Sequence, residues 1–159
     1  MTRIRWWVGI VGIMLAGALG GCSEGGHDDV LLVSGACVLF SEVEPNATTL
    51  TAQDLGDVFI DDCAVVSGSI STVTDVDRYA VLIQESLTLV VTLDHSPLVD
   101  FDILIFDAET GQLIRDCGVG AVPEICAVSF SVRSRPIDVD VVVVSEVGAG
   151  TYTLTLDAQ

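Results

Sequence analysis

From Val65 onward the apolar residues of this chain recur with a period of two, not the 3.6 of a helix. Tyr79, Val81 and Ile83 alternate with Ala80, Leu82 and Gln84. Leu87, Leu89, Val91 and Leu93 alternate with Thr88, Val90 and Thr92. The same pattern returns at Val128, Phe130 and Val132, and at Tyr152, Leu154 and Leu156. Successive side chains of a strand point to opposite faces, so each set buries one face of a half-covered strand. Residues 103–106 and 139–144 carry apolar side chains on both faces, as strands covered on both sides would. The segment 137–144 would be an aggregation hazard at an edge and is expected in the centre of a sheet, with Asp138 and Asp140 as gatekeepers. Turn chemistry falls between the runs, at residues 85–86, 94–97, 108–111 and 147–150. Short strands separated by turns predict an all-β protein, an antiparallel β-sandwich of jelly-roll type with about eight strands.

The first residues follow a different rule. Thr2-Arg3-Ile4-Arg5 is a short positive segment, and residues 6–19 are uncharged and apolar. That stretch is shorter than the roughly 20 residues a membrane span needs, and it reads as a signal peptide. It ends in Leu19-Gly20-Gly21-Cys22, which resembles the lipobox of bacterial lipoproteins. The resemblance implies cleavage after Gly21 and a lipidated Cys22 at the mature N-terminus. Two or more acyl chains, at ~0.8 kcal/mol per buried CH₂, anchor a protein stably. Ser23 after the cysteine implies, by the sorting pattern of enteric bacteria, the outer membrane. The expected organisation is thus a signal peptide at 1–21, a lipidated and Gly-rich flexible tether at 22–37, and a domain at 38–159. Residues 30–33 read equally as a short strand or as apolar linker.

Assigning Cys22 to lipid leaves four of the five cysteines, Cys37, Cys63, Cys117 and Cys126. An even count in an oxidising compartment points to two disulfides, from three possible connectivities. Sequence proximity favours Cys37–Cys63 and Cys117–Cys126. A zinc site is disfavoured because no CxxC spacing occurs.

The charge is lopsided. All six basic residues are Arg, against 23 acids. Loss of Arg3 and Arg5 with the signal peptide leaves four Arg against 23 acids, a formal net charge of −19. Such a field repels phosphate backbones and excludes nucleic acid as a partner. It suits cations, or plain solubility. Catalytic groups are scarce. His27 lies in the tether, and His95 lies in Asp94-His95-Ser96-Pro97, which reads as a tight turn. Adjacent Asp, His and Ser are not a triad, because the three roles need side chains converging from separate elements. Asn46-Ala47-Thr48 matches a glycosylation sequon by coincidence. The chain is therefore read as a non-enzyme.

Several short motifs occur in order: Glu42-Val-Glu44-Pro45-Asn46-Ala47, Val66-Ser-Gly68-Ser-Ile70, Asp75-Val-Asp77-Arg-Tyr79, Asp100-Phe-Asp102 through Asp107, and Gly150-Thr-Tyr152-Thr-Leu154. Together they resemble the bacterial pre-peptidase C-terminal domain, a β-sandwich appended to secreted proteases and similar to the collagen-binding domains of clostridial collagenases. The resemblance spans about residues 38–157. It implies a non-catalytic accessory domain and a calcium site, with Glu42, Glu44 and Asn46 matching one ligand cluster and Asp75 and Asp77 the other. Ca²⁺ takes six to eight oxygens, which such acids supply. The chain departs from the pattern at Ala47, where calcium-binding relatives carry Asp; one charge fewer weakens the site. The expected function is a membrane-anchored binding or structural module on the cell envelope, with an unidentified protein or polysaccharide partner. The alternative is a periplasmic envelope-assembly or chaperone-like lipoprotein.

Overall fold

The computed structural model describes residues 36–118, 120 and 122–159. The expected signal peptide, Cys22, His27, the segment 30–33 and the tether up to residue 35 lie outside the described residues. The rest is all-β, with ten strands rather than about eight: β1 (Val38–Ser41), β2 (Gln53–Val58), β3 (Cys63–Ile70), β4 (Val76–Ile83), β5 (Leu87–His95), β6 (Asp100–Asp107), β7 (Leu113–Asp116), β8 (Glu124–Phe130), β9 (Ile137–Val147) and β10 (Gly150–Ala158). The strands that periodicity missed are β1, β2 and β7. All three lie at sheet edges, where little is buried and the alternation of apolar and polar residues is weak.

Two five-stranded sheets form the sandwich, in the orders β1-β3-β10-β5-β8 and β2-β4-β9-β6-β7. Consecutive strands switch sheets at every step except β6 to β7. That switching makes two edge pairs, β1 with β3 and β2 with β4, parallel, while the remaining pairs are antiparallel. The sheets are mixed, a departure from the purely antiparallel expectation. The register of β2 on β4 shifts at a bulge between Asp54 and Gly56, and Gly56 takes a φ of +97° at no steric cost.

The interior matches the period-two reading. Leu87, Leu89, Val91 and Leu93 of β5 pack with Tyr79, Val81 and Ile83 of β4, Phe101, Ile103 and Ile105 of β6, and Leu154 and Leu156 of β10. Each fully buried side chain of this size contributes about 1.5–3 kcal/mol from apolar burial. β9 is central, as its sequence requires, and is buried from Val139 to Val143 on both faces. β6 departs from expectation: Leu104 and Phe106 on its outer face are only half-buried, because no third layer covers the sheet among the described residues. Of the two expected gatekeepers, Asp138 is exposed, whereas Asp140 is fully buried and bridged to Arg78 at 3.2 Å. The Arg78 guanidinium also lies 5.3 Å from the Phe106 ring.

Both disulfides pair as expected, Cys37–Cys63 and Cys117–Cys126. The first ties the entry to β1 to the start of β3, its partner in the same sheet. The second spans the two sheets, joining the end of β7 to the inner face of β8.

Candidate cation site

Asp77 is the second residue of β4, and the alternation that buries Tyr79, Val81 and Ile83 turns it inward as well. It is fully buried. The segment 42–46 leaves β1 and is pinned beside it by the β3 backbone. Glu42 N–H donates to the Ser67 carbonyl at 3.0 Å, and Glu42 Oε2 accepts from Ser69 N–H at 2.7 Å. Glu44 Oε2 then accepts the Asn46 backbone N–H at 2.8 Å, and Asn46 Nδ2 donates to Glu42 Oε1 at 3.2 Å. These bonds curl the segment over the end of the sandwich. Carboxylate oxygens of Glu42, Glu44 and Asp77 come within 4.8 Å of one another.

Of the five residues expected to bind calcium, Glu42, Glu44, Asn46 and Asp77 are thus brought together. Asp75 is not part of that group. Its Oδ2 accepts from Ser71 N–H at 2.7 Å and its Oδ1 from Val76 N–H at 3.1 Å, closing the 71–76 turn. A hydrogen bond with the Ser71 side chain, followed by these backbone bonds, holds its carboxyl below the usual carboxylate range.

The sequence-based reading placed Tyr152 in the core but missed its hydroxyl. That hydroxyl donates to Asp77 Oδ2 at 2.6 Å and meets the Tyr79 hydroxyl at 2.5 Å. The available signal was Asp77 itself, an acid standing in the apolar register of a strand. Burial pushes Asp77 up to about 8; the Tyr152 phenol works against that shift, and the neighbouring Glu42 carboxylate adds to it. Burial likewise raises both phenols.

Two buried oxygens at this site, Asn46 Oδ1 and Asp77 Oδ1, meet no donor while the carboxyls are ionised; only a proton shared between Asp77 and Glu42 would pair the second. Such orphans are costly unless a donor or a cation meets them. Three carboxylates and an amide form a donor set of oxygen only. It fits Ca²⁺, and lacks the nitrogen and sulfur ligands that favour zinc or copper.

A second acidic group gathers Asp100 and Asp102 of β6 with the buried Glu124 of β8, again within 4.8 Å. Burial raises Asp102, and Asp100, Glu146 and Asp116 add to the shift, whereas a hydrogen bond shared with Glu124 opposes it. His95 is not in a turn. It is the last residue of β5 and takes the next inward position after Leu93, 5.1 Å from the Phe101 ring. Asp94 beside it faces solvent, and Ser96 Oγ accepts from Leu98 N–H, so the three side chains do not converge.

A ten-stranded mixed sandwich with an acidic site at one end is the class that fold and site define. Among solved structures the chain is similar to the pre-peptidase C-terminal domain of a collagenase from Bacillus anthracis, at 12% identity over 68% of this chain and 94% of that one, with a TM-score of 0.51. This likeness bears out the fold expected from the motif resemblance. Other matches are PliG of Aeromonas hydrophila (14% identity, 68% and 97% covered, TM-score 0.48) and PliG of Salmonella Typhimurium (15%, 68% and 100%, 0.46), periplasmic inhibitors of g-type lysozyme. No family model and no curated protein matches the chain.

Proposed function

We propose that this chain is an exported lipoprotein, anchored through Cys22 to the cell envelope, whose β-sandwich is a non-catalytic binding module stabilised by Ca²⁺. The outer membrane is the expected address, and a protein or polysaccharide the expected partner. The observation that carries the cation reading is the meeting of Glu42, Glu44 and Asp77 with two buried, unpartnered oxygens of Asn46 and Asp77. A bound ion would supply the positive charge those oxygens lack. It would also tie the segment after β1, in one sheet, to β4 in the other. Glu42, Glu44 and Asp77 offer carboxyl oxygens to one divalent ion, so Ala47 in place of a further acid would weaken the site without removing it.

The test is thermal unfolding of the full chain in EGTA and in excess CaCl₂. Calcium should raise the midpoint, because a ligand at a hundred times its Kd stabilises by ~2.7 kcal/mol. Glu44→Ala should abolish most of that difference while leaving the EGTA midpoint within a few degrees. Coincident midpoints for the parent chain would remove calcium from the proposal.

A further inference from the structure

We propose that Tyr152, seated over Gly68, is the positioning residue that holds Asp77 in the cation site. The inference rests on the cation reading above and adds a part of the site that lies outside its acidic residues. Tyr152 belongs to β10 and Asp77 to β4, so their 2.6 Å hydrogen bond crosses from one sheet to the other. The Tyr152 proton is committed to Asp77 Oδ2, so its oxygen accepts from the Tyr79 hydroxyl, and donation runs from Tyr79 to Tyr152 to Asp77. With Oδ2 occupied, Oδ1 is left without a donor, in a carboxyl group that has an oxygen within 4.8 Å of those of Glu42 and Glu44.

Gly68 makes this reach possible. It pairs with Tyr152 across β3 and β10, and a Cβ there would stand 2.4 Å from both Cζ and the hydroxyl oxygen of the ring. Any larger residue at 68 must push the phenol away from Asp77. A hydrogen bond to the outer oxygen of a ligating carboxylate fixes its rotation, and losing such a partner costs 10–100-fold in metal affinity.

The test is calcium titration of the full chain, together with Tb³⁺ luminescence lifetimes, which count the waters on the bound ion. Tyr152→Phe should weaken Ca²⁺ binding by about 10–100-fold and admit about one more water to Tb³⁺ as Asp77 swings off. Gly68→Ala should act in the same direction. Tyr79→Phe, which leaves the bond to Asp77 intact, should do less than Tyr152→Phe. A merely structural tyrosine would lower the unfolding midpoint in EGTA and leave affinity and water count of the folded protein unchanged. Parent-like values for both Tyr152→Phe and Gly68→Ala, in a parent chain that binds calcium, overturn the positioning role alone. Absence of binding by the parent chain overturns it together with the cation site.

Discussion

Three acids occupy positions where their strands would otherwise bury apolar side chains. Asp77 shares the inward register of Tyr79, Val81 and Ile83, Glu124 that of Cys126 and Phe130, and Asp140 lies between Val139 and Val141 on the central strand. A buried carboxylate without a partner is expensive, and each of these has a specific neighbour: the Tyr152 phenol, Asp102, and Arg78. At the Glu124 group the neighbour is another carboxyl, which makes stability depend on protons. The folded-state pKa of Asp102 lies above its ordinary value, so the stabilisation it brings is complete at low pH and is lost as pH rises through that raised value. Asp102→Asn, neutral at all pH, should therefore flatten the decline of the unfolding midpoint from about pH 4 upward. Melting curves of the two proteins across that range measure it. A constant offset between them, with equal slopes, would show that Asp102 does not carry the pH dependence.

The elements that periodicity missed are the ones that close the sandwich. β1 and β2 are short parallel edge strands, and β7 is exposed along its whole length. Edge strands make few side-chain contacts, so nothing in their composition needs to alternate. β1 is held by covalent chemistry as well as by the β3 ladder, through Cys37–Cys63. A loop with a sequence separation of 26 implies a loss of about 3–4 kcal/mol when that disulfide is removed. The double substitution Cys37→Ser and Cys63→Ser should show this loss in urea unfolding, with native strand content retained below the transition. Because β1 leads directly into Glu42, the same variant should also bind calcium less tightly. The pairing of the four cysteines was legible because each couple is close in sequence. That each couple also meets in space depends on tertiary structure: sheet order brings the β1 entry beside β3, and the packing of one sheet on the other brings the end of β7 to β8.

For the whole molecule, targeting and folding are linked through one count. If Cys22 carries lipid, as proposed, four cysteines remain, and those four form the two disulfides of the domain. Cys22→Ala should move the chain from the detergent-rich to the aqueous phase in a phase-separation assay and leave its β-sheet circular dichroism unchanged. Continued membrane partition would mean that the apolar segment at 6–19, rather than lipid, is the anchor. The motif resemblance pointed to the acidic segment 42–46 with Asp77 as ligand candidates, whereas the sequence by itself determined the class of fold, the inward face of the long strands and the turns between them. These are local properties, written in a period of two and in turn residues. Tertiary structure alone decided that Asp75 closes a turn instead of joining the other acids. It also decided that strands alternate between sheets, making two pairs parallel, and that the hydroxyl of Tyr152 reaches Asp77 from 75 residues away. Periodicity tells which side of a strand a residue takes. Which strand faces it across the core depends on how segments far apart in the chain share the burial of their apolar faces.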